Sequence, residues 1–324
     1  MSGRLRVVVA GAGVFGLASA LALLEDGADV RMVDPAPEVG GASGVAAGLL
    51  APVGEAVFDP DAATHYPLLS KALTLWPAFA AAHGIALSDD GLVTPRTAGA
   101  ALDGLGVVAE RHALGLFTRA DPRVVDPQAA LAALRGRVGA LGGRIEPRAL
   151  RAADRLHADF VVLATGAGRV EGLTAPELDG LAPVKGQIVV LPAGPRSGPT
   201  VRWAGGYLAP QPGGARVGAT METGRSDTLV EPEVVGRLLA AAEAAAPGLD
   251  AAGAYGEAGV RMQSPDGLPL VGPSQAPGVL IAAAARRNGW LLAPLVGRMI
   301  AAYARGEDPG PWAGVLHPGR FLED

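Results

Sequence analysis

Three glycines near the start of the chain are spaced to hold a phosphate. The apolar run Arg4-Leu5-Arg6-Val7-Val8-Val9-Ala10 leads directly into Gly11-Ala12-Gly13-Val14-Phe15-Gly16. An Ala/Leu-rich stretch to Glu25 then reads as a helix that starts on those glycines. In a G-x-G-x-x-G turn, Gly11 permits the tight bend, Gly13 lets a pyrophosphate approach the backbone, and Gly16 lets helix and strand pack closely. The helix N-terminus adds free N–H groups and a partial positive charge. A second apolar strand, Asp29–Val33, ends in Asp34, where an acid is placed for a ribose hydroxyl. The unit predicts dinucleotide binding and leaves open which dinucleotide.

The remaining elements must complete that site. Pro35 and Pro37 break the chain after the first unit, and a small-residue loop follows from Gly40 to Pro52. Leu68 to His83 reads as one amphipathic helix, with short strands around Leu87–Thr94 and Gly115–Phe117. Asp126-Pro127 looks like an N-cap with proline at the first helical position. Ala158–Ala164 is a buried strand ending in Thr165-Gly166-Ala167-Gly168. Segments 187–191, 200–203, 206–209 and 215–219 read as an antiparallel sheet, followed by a helix over 232–246. Gly278–Ala284 is a third apolar strand, and a long helix runs over 290–304. The predicted class is α/β with α+β character. A Rossmann-like nucleotide domain of residues 1–85, 126–178 and 259–324 would carry an inserted antiparallel-sheet substrate domain of residues 86–125 and 179–258.

Bulk properties exclude several functions. The 324 residues suffice for two lobes, and 49% are hydrophobic, enough for a sizeable core. A net charge of −5 without a basic run argues against nucleic acid as a partner. No apolar stretch is long enough to span a bilayer. The Val7–Ala10 run reads as a strand rather than a signal peptide, so the expected location is cytoplasmic. There are no cysteines, which removes disulfides, thiolate catalysis and thioether-linked flavin. The five histidines are scattered, so no metal site is expected.

Nucleotide-domain signals that return near Thr165 and Gly289 suit an extended FAD threading through distant segments. The sequence resembles the FAD-dependent oxidases of the D-amino-acid oxidase superfamily, and within it the glycine oxidases of the thiamine-biosynthesis type. The blocks that carry the resemblance stand in family order. They are Gly11–Asp34, Gly41-Ala42-Ser43 with Ala46–Pro52, Ala164–Gly168, and Pro183–Gln187. Tyr207–Pro210 with Val217–Thr220, Pro265–Pro273 and Arg287–Pro294 complete them. The resemblance implies noncovalent FAD bound by Gly11, Gly13, Val14, Phe15, Gly16 and Asp34. It adds Ser43, Ala46, Ala47 and Gly48, then Thr165, Gly166 and Gly168, and lastly Asn288, Gly289, Trp290 and Leu291.

Oxidising an amine to an imine moves a hydride to the flavin, so the protein must mainly bind and orient. A planar arginine fork suits a substrate carboxylate. Arg287 matches the family's carboxylate-binding arginine, Arg261 a second arginine, and Tyr207 a hydroxyl that helps the same clamp. Arg286 is a rival to Arg287, but the Arg-Asn-Gly register favours the latter. Trp203 and Trp290 read as packing residues. The helix from Gly289 would aim its N-terminal N–H groups at the flavin. Ala284-Ala285-Arg286 replaces the histidine and aromatic usual before Arg-Asn-Gly, and Val260-Arg261-Met262-Gln263 replaces Gly-Leu-Arg-Pro. These changes reshape the pocket and leave the substrate side chain open. The implied activity is oxidation of a small amino acid or amine of the glycine, sarcosine or D-amino-acid class. O2, a quinone or another carrier would reoxidise the flavin, and the imine could feed thiazole synthesis. A same-fold dehydrogenase for D-amino or hydroxy acids with another acceptor, and a non-catalytic flavin-binding protein, are the alternatives. The oligomeric state, a homo-oligomer included, is left open.

Overall fold

The computed structural model describes residues 4–38, 41–168, 173 and 175–322. Gly40 of the small-residue loop lies outside the described residues.

Valine-rich runs form the first sheet because strands buried on both faces need apolar side chains on both. Its strand order is Leu270–Pro273, Val279–Ala283, Phe160–Leu163, Arg6–Ala10, Asp29–Val33, Arg144–Glu146. The five strands after the first are parallel, and Leu270–Pro273 runs antiparallel at the edge. Period-two alternation splits their side chains. Val7 and Val9 enter one apolar cluster, while Val8 and Ala10 enter another on the opposite face. Four of the parallel strands end, at the same edge, in Gly11, Asp34, Ala164-Thr165 and Ala284–Arg287. That edge is where doubly wound sheets bind ligands.

The helix Val14–Glu25 has almost no polar side, and ten of its twelve residues are buried. A helix apolar all round must be covered all round. Helix Gly289–Arg305 packs on it at Gly297, where an added Cβ would lie 2.6 Å from the Ala18 carbonyl oxygen. Asp126 caps helix Pro127–Ala140 as expected, accepting from the Gln128 and Ala129 N–H groups. The helix expected over Leu68–His83 is instead two, Tyr66–Leu73 and Trp76–His83. Pro77 lacks the N–H that a continuous helix would need, so a new helix starts beside it. The loop after Pro37 holds a short helix, Gly41–Val45, before helix Pro52–Phe58.

The second sheet has nine strands, in the order Glu222–Thr223, Ala182–Leu191, Gly214–Gly218, Gly206–Gln211, Thr200–Trp203, Leu92–Thr94, Gly115–Thr118, Glu110–His112. The ninth, Tyr255–Gln263, lies along the other side of Ala182–Leu191. It is antiparallel apart from the pair Thr200–Trp203 with Leu92–Thr94. Helix Pro232–Ala245 covers it, burying Val234, Leu238 and Ala242 against Val189, Leu191 and Val217.

Two glycine substitutions separate packing from propensity. A Cβ on Gly16 would lie 2.0 Å from the Gly11 carbonyl oxygen, whereas one on Gly139 meets nothing within 4 Å. Gly16→Ala is expected to cost about 1–3 kcal/mol through overpacking. Gly139→Ala is expected to gain roughly 0.5–1 kcal/mol of helix propensity. Denaturant midpoints of both variants check this, and equal stability would refute the packing account.

Candidate active site

The glycine end of the site is built from backbone that must come close. Gly11 has φ +106°, and a Cβ there would sit 2.2 Å from the Ala164 carbonyl oxygen. This contact sets Gly11 against Thr165, so two of the expected cofactor segments adjoin. Asp34 braces the turn: one carboxylate oxygen accepts from the Ala12 N–H at 2.7 Å and the other from Ala36 at 2.8 Å. Gly13 precedes the helix, and a Cβ on it would meet only the Ser43 hydroxyl, at 3.4 Å. The Ser43 hydroxyl accepts from the Val14 N–H at 3.1 Å, and its carbonyl accepts from the Trp290 indole at 3.1 Å. Thr165 donates to the Gly168 carbonyl at 2.9 Å, closing a turn in which Gly166 takes φ +58°. Gly289 stands beside Val14, within 3.7 Å of an added Cβ. Phe15 and Leu291 bury their side chains in the main core, which leaves their backbones for a ligand. The Leu291 carbonyl already accepts from the Trp76 indole at 3.0 Å.

The substrate end is a cavity of about 220 Å³ walled by strands of the second sheet, helix Pro52–Phe58 and the turn after strand Val279–Ala283. Ala46, Ala47, Gly48, Asn288 and Trp290 line it, together with Tyr207, Arg261 and Arg287. The three residues expected to clamp a substrate are therefore brought together, beside part of the expected cofactor set. Tyr207 reaches it from strand Gly206–Gln211 and Arg261 from strand Tyr255–Gln263. Burial pushes the Tyr207 hydroxyl above its ordinary pKa, against the pull of nearby arginines, Arg261 foremost. Burial also draws the Arg261 guanidinium below its ordinary value. Its Nη2 donates to the Thr220 carbonyl at 3.0 Å, and it has no carboxylate partner among the described residues. Trp203 lines the cavity, while Trp290 is both lining and packing, its ring tilted against Trp76.

Arg287 is differently placed. Its Nη2 pairs with Glu55 at 3.0 Å and its Nη1 with Asp59 at 3.2 Å. Arg202 donates to the same Glu55 at 2.7 Å, and Arg286 pairs with Asp59 at 3.3 Å. Desolvation would raise the Glu55 pKa, but Arg202 and Arg287 outweigh it and hold the carboxyl below its ordinary value. Ala284 and Arg286 take φ +60° and +45°, a region that side chains avoid at about 1–2 kcal/mol per residue. Two such residues at the cavity edge mark a turn held by its surroundings. The Arg286 N–H donates to the Met262 carbonyl at 3.1 Å, which ties this turn to the Arg261 strand.

Glu55, Asp59 and Arg202 were not singled out from sequence. A signal exists, since Glu55 and Asp59 stand four apart across a helix, where like charges repel unless cations meet them. Asp121 was missed too. It is buried, and its oxygens accept from the Val53 N–H at 2.9 Å and the Gly54 N–H at 2.5 Å, capping the helix that carries Glu55.

The dinucleotide fits this lining. The open face of Gly13, the helix N-terminus and the Thr165–Gly168 turn form a cradle that side chains do not fill. Among the described residues there is no cluster that could hold a metal ion and no helix long and apolar enough to cross a membrane.

Asp121 also gives the fold a pH signature. Burial raises its pKa from 3.8 to about 7, against the two N–H groups that favour the charge. The folded state then holds the extra proton between those values, so stability from this group is full below 3.8 and is lost as pH rises through about 7. Glu55 acts oppositely, contributing above its ordinary 4.5 and losing that stability as pH falls through its lower folded value. Asp121→Asn should therefore flatten the decline in denaturant stability between about pH 4 and about pH 7. A wild-type-minus-variant difference that stays constant over that range would show Asp121 ionised throughout.

Comparison with known proteins fits this geometry. The family described as DAO, FAD dependent oxidoreductase, matches residues 6–303. A D-amino-acid oxidase from Streptomyces coelicolor is 32% identical over 72% of this chain and 75% of its own length. The tRNA 5-methylaminomethyl-2-thiouridine biosynthesis bifunctional protein MnmC from Caulobacter is 31% identical over 98% of this chain. The chain spans only 57% of that relative's length. Glycine oxidase from Geobacillus kaustophilus shares the fold, with a TM-score of 0.79, 24% identity, and coverage of 98% of this chain and 100% of that one. The match over most of the chain, on a fold whose glycine turn and distant segments adjoin as an FAD site requires, makes this protein a member of the DAO family of FAD-dependent oxidoreductases.

Proposed function

We propose that the enzyme oxidises the amine of a small amino acid to the imine. The observation that carries this reading is the convergence of Arg261, Tyr207 and Arg287 on one cavity beside Gly48, Asn288 and Trp290. Residues 1–85, 126–178 and 259–324 would form the FAD-binding domain, and 86–125 with 179–258 the substrate-binding one. Bound FAD supplies the two-electron oxidant that accepts the hydride.

The chain's own residues do the positioning. Arg261 has donors not committed to a carboxylate, so it takes the substrate carboxylate bidentately. Tyr207, with its pKa raised, stays protonated and gives a further hydrogen bond. Arg287 lines the same cavity, held by Glu55 and Asp59, and adds positive charge beside the bound anion. Both ends of the clamp rest on strands or on the Ala284–Arg287 turn, so a bound α-carbon is held in one orientation. The small Ala46, Ala47 and Gly48 leave room for a planar ring system on that side.

A second reading places the amine on tRNA, and the similarity to MnmC over 98% of the chain favours it. The net charge of −5 opposes it.

Anaerobic bleaching of the flavin tests both. Glycine, sarcosine or D-alanine is expected to bleach it, and bulk tRNA is not. Arg261→Met should raise the concentration needed for half-maximal bleaching about 10- to 100-fold, the value of charge-assisted hydrogen bonds. Equal bleaching by wild type and variant would remove Arg261 from the clamp. Bleaching by modified tRNA alone would replace the first reading with the second.

A further inference from the structure

We propose that the substrate of this site carries a second carboxylate, making it an amino or imino dicarboxylate; this deepens the amine-oxidation reading and rests on it. The ground is the charge lining one enclosed space. Arg202, Arg261 and Arg287 all border the cavity, and Glu55 is the one acid that borders it among the described residues. Behind the lining, Asp59 is shared between Arg286 and Arg287. Four guanidinium groups therefore stand against two carboxylates at the wall. Asp121 lies near Arg202 as well, but its oxygens are taken by the Val53 and Gly54 N–H groups, and burial pushes its pKa up to about 7.

The imbalance is visible residue by residue. Among the described residues, Arg261 donates only to a neutral carbonyl. Arg202 is 3% exposed, donates to Glu55 through Nη2, and its buried Nη1 has no hydrogen-bond partner among the described residues. Arg287 and Arg286 both repel the Arg261 charge. Leaving guanidinium groups buried without matching anions is costly. A ligand with one carboxylate satisfies Arg261 and leaves an excess positive charge beside Arg202 and Arg287. A ligand with two carboxylates removes it, one held at Arg261 and Tyr207, the other at the Arg202–Arg287 side of the same cavity. Oxidation itself is unchanged: the C–H hydride passes to FAD, the amine proton goes to solvent, and both carboxylates remain intact.

Matched substrates isolate the charge. D-glutamate and D-glutamine differ by one carboxylate replaced by an amide of the same shape, as do D-aspartate and D-asparagine. Anaerobic flavin reduction by the acids should exceed that by the amides by about 10- to 100-fold in rate over half-saturation. Iminodiacetate should exceed sarcosine in the same direction. Arg202→Lys should keep most of the acid-over-amide ratio, and Arg202→Gln should bring it towards one. Should Arg202→Gln not fold, binding to the wild-type holoenzyme still decides. Malonate, which has no amine to oxidise, should perturb the flavin spectrum at lower concentration than acetate. Amides equal to acids, or acetate equal to malonate, would overturn the proposal. Malonate binding preferred while no amine bleaches the flavin would support the charge preference and discard amine oxidation instead.

Discussion

The structure depends on how closely two pieces of backbone approach at the end of the first strand. Gly11 lies against the carbonyl of Ala164, and Gly16 lies against the carbonyl of Gly11. With no Cβ in either place, the first helix settles directly on the sheet. That fixes the direction of the helix N-terminus and brings the Thr165–Gly168 turn alongside. It also sets the height at which helix Gly289–Arg305 crosses, since Gly297 touches Ala18 on the far side of the same helix. Ser43 and Trp290 then close the gap between three chain segments with two hydrogen bonds. A methyl group at one glycine would be felt at each of these contacts.

The cavity obeys a different constraint, electrostatic rather than steric. Its wall comes from the second sheet, from helix Pro52–Phe58 and from the turn after strand Val279–Ala283, and each contributes charge. Glu55 stays ionised because arginines from two distant elements surround it, and Arg287 stays at the cavity because Glu55 and Asp59 hold it. Neither end of these pairs is stable in a buried place alone. The web thus fixes side chains that would otherwise sample many rotamers, before any ligand arrives. The left-handed turn through Ala284 and Arg286 adds backbone rigidity at the same point.

Much of the architecture was readable because it is local. The valine runs, the glycine turn, the Asp126 cap and the long C-terminal helix each announce themselves within a few residues. Strand Tyr255–Gln263 did not, because Gly256, Glu257, Gly259 and Arg261 break any alternation of apolar residues. Its place is set by pairing along Ala182–Leu191, a tertiary contact. The split of 66–83 into two helices was legible in Pro77 and was outweighed by apolar spacing. The acidic web was hidden for a different reason. Glu55 meets Arg202 from 147 residues away and Arg287 from 232. Spacing on one helix can show that two acids share a face, but not which cations will meet them.

The order of assembly follows from one feature, the wholly apolar helix Val14–Glu25. Its cover includes Trp290 and Val296, which the ribosome adds some 270 residues later. At about 5–20 residues per second, that interval is roughly 15–60 s. Through it, the helix that begins the phosphate cradle has no partner on its outer face. A growing chain in that state exposes a greasy surface to its neighbours and cannot close around its cofactor. The phosphate cradle is therefore covered only once residues 289–305 have been made, and the first helix to be made is among the last to be sheltered.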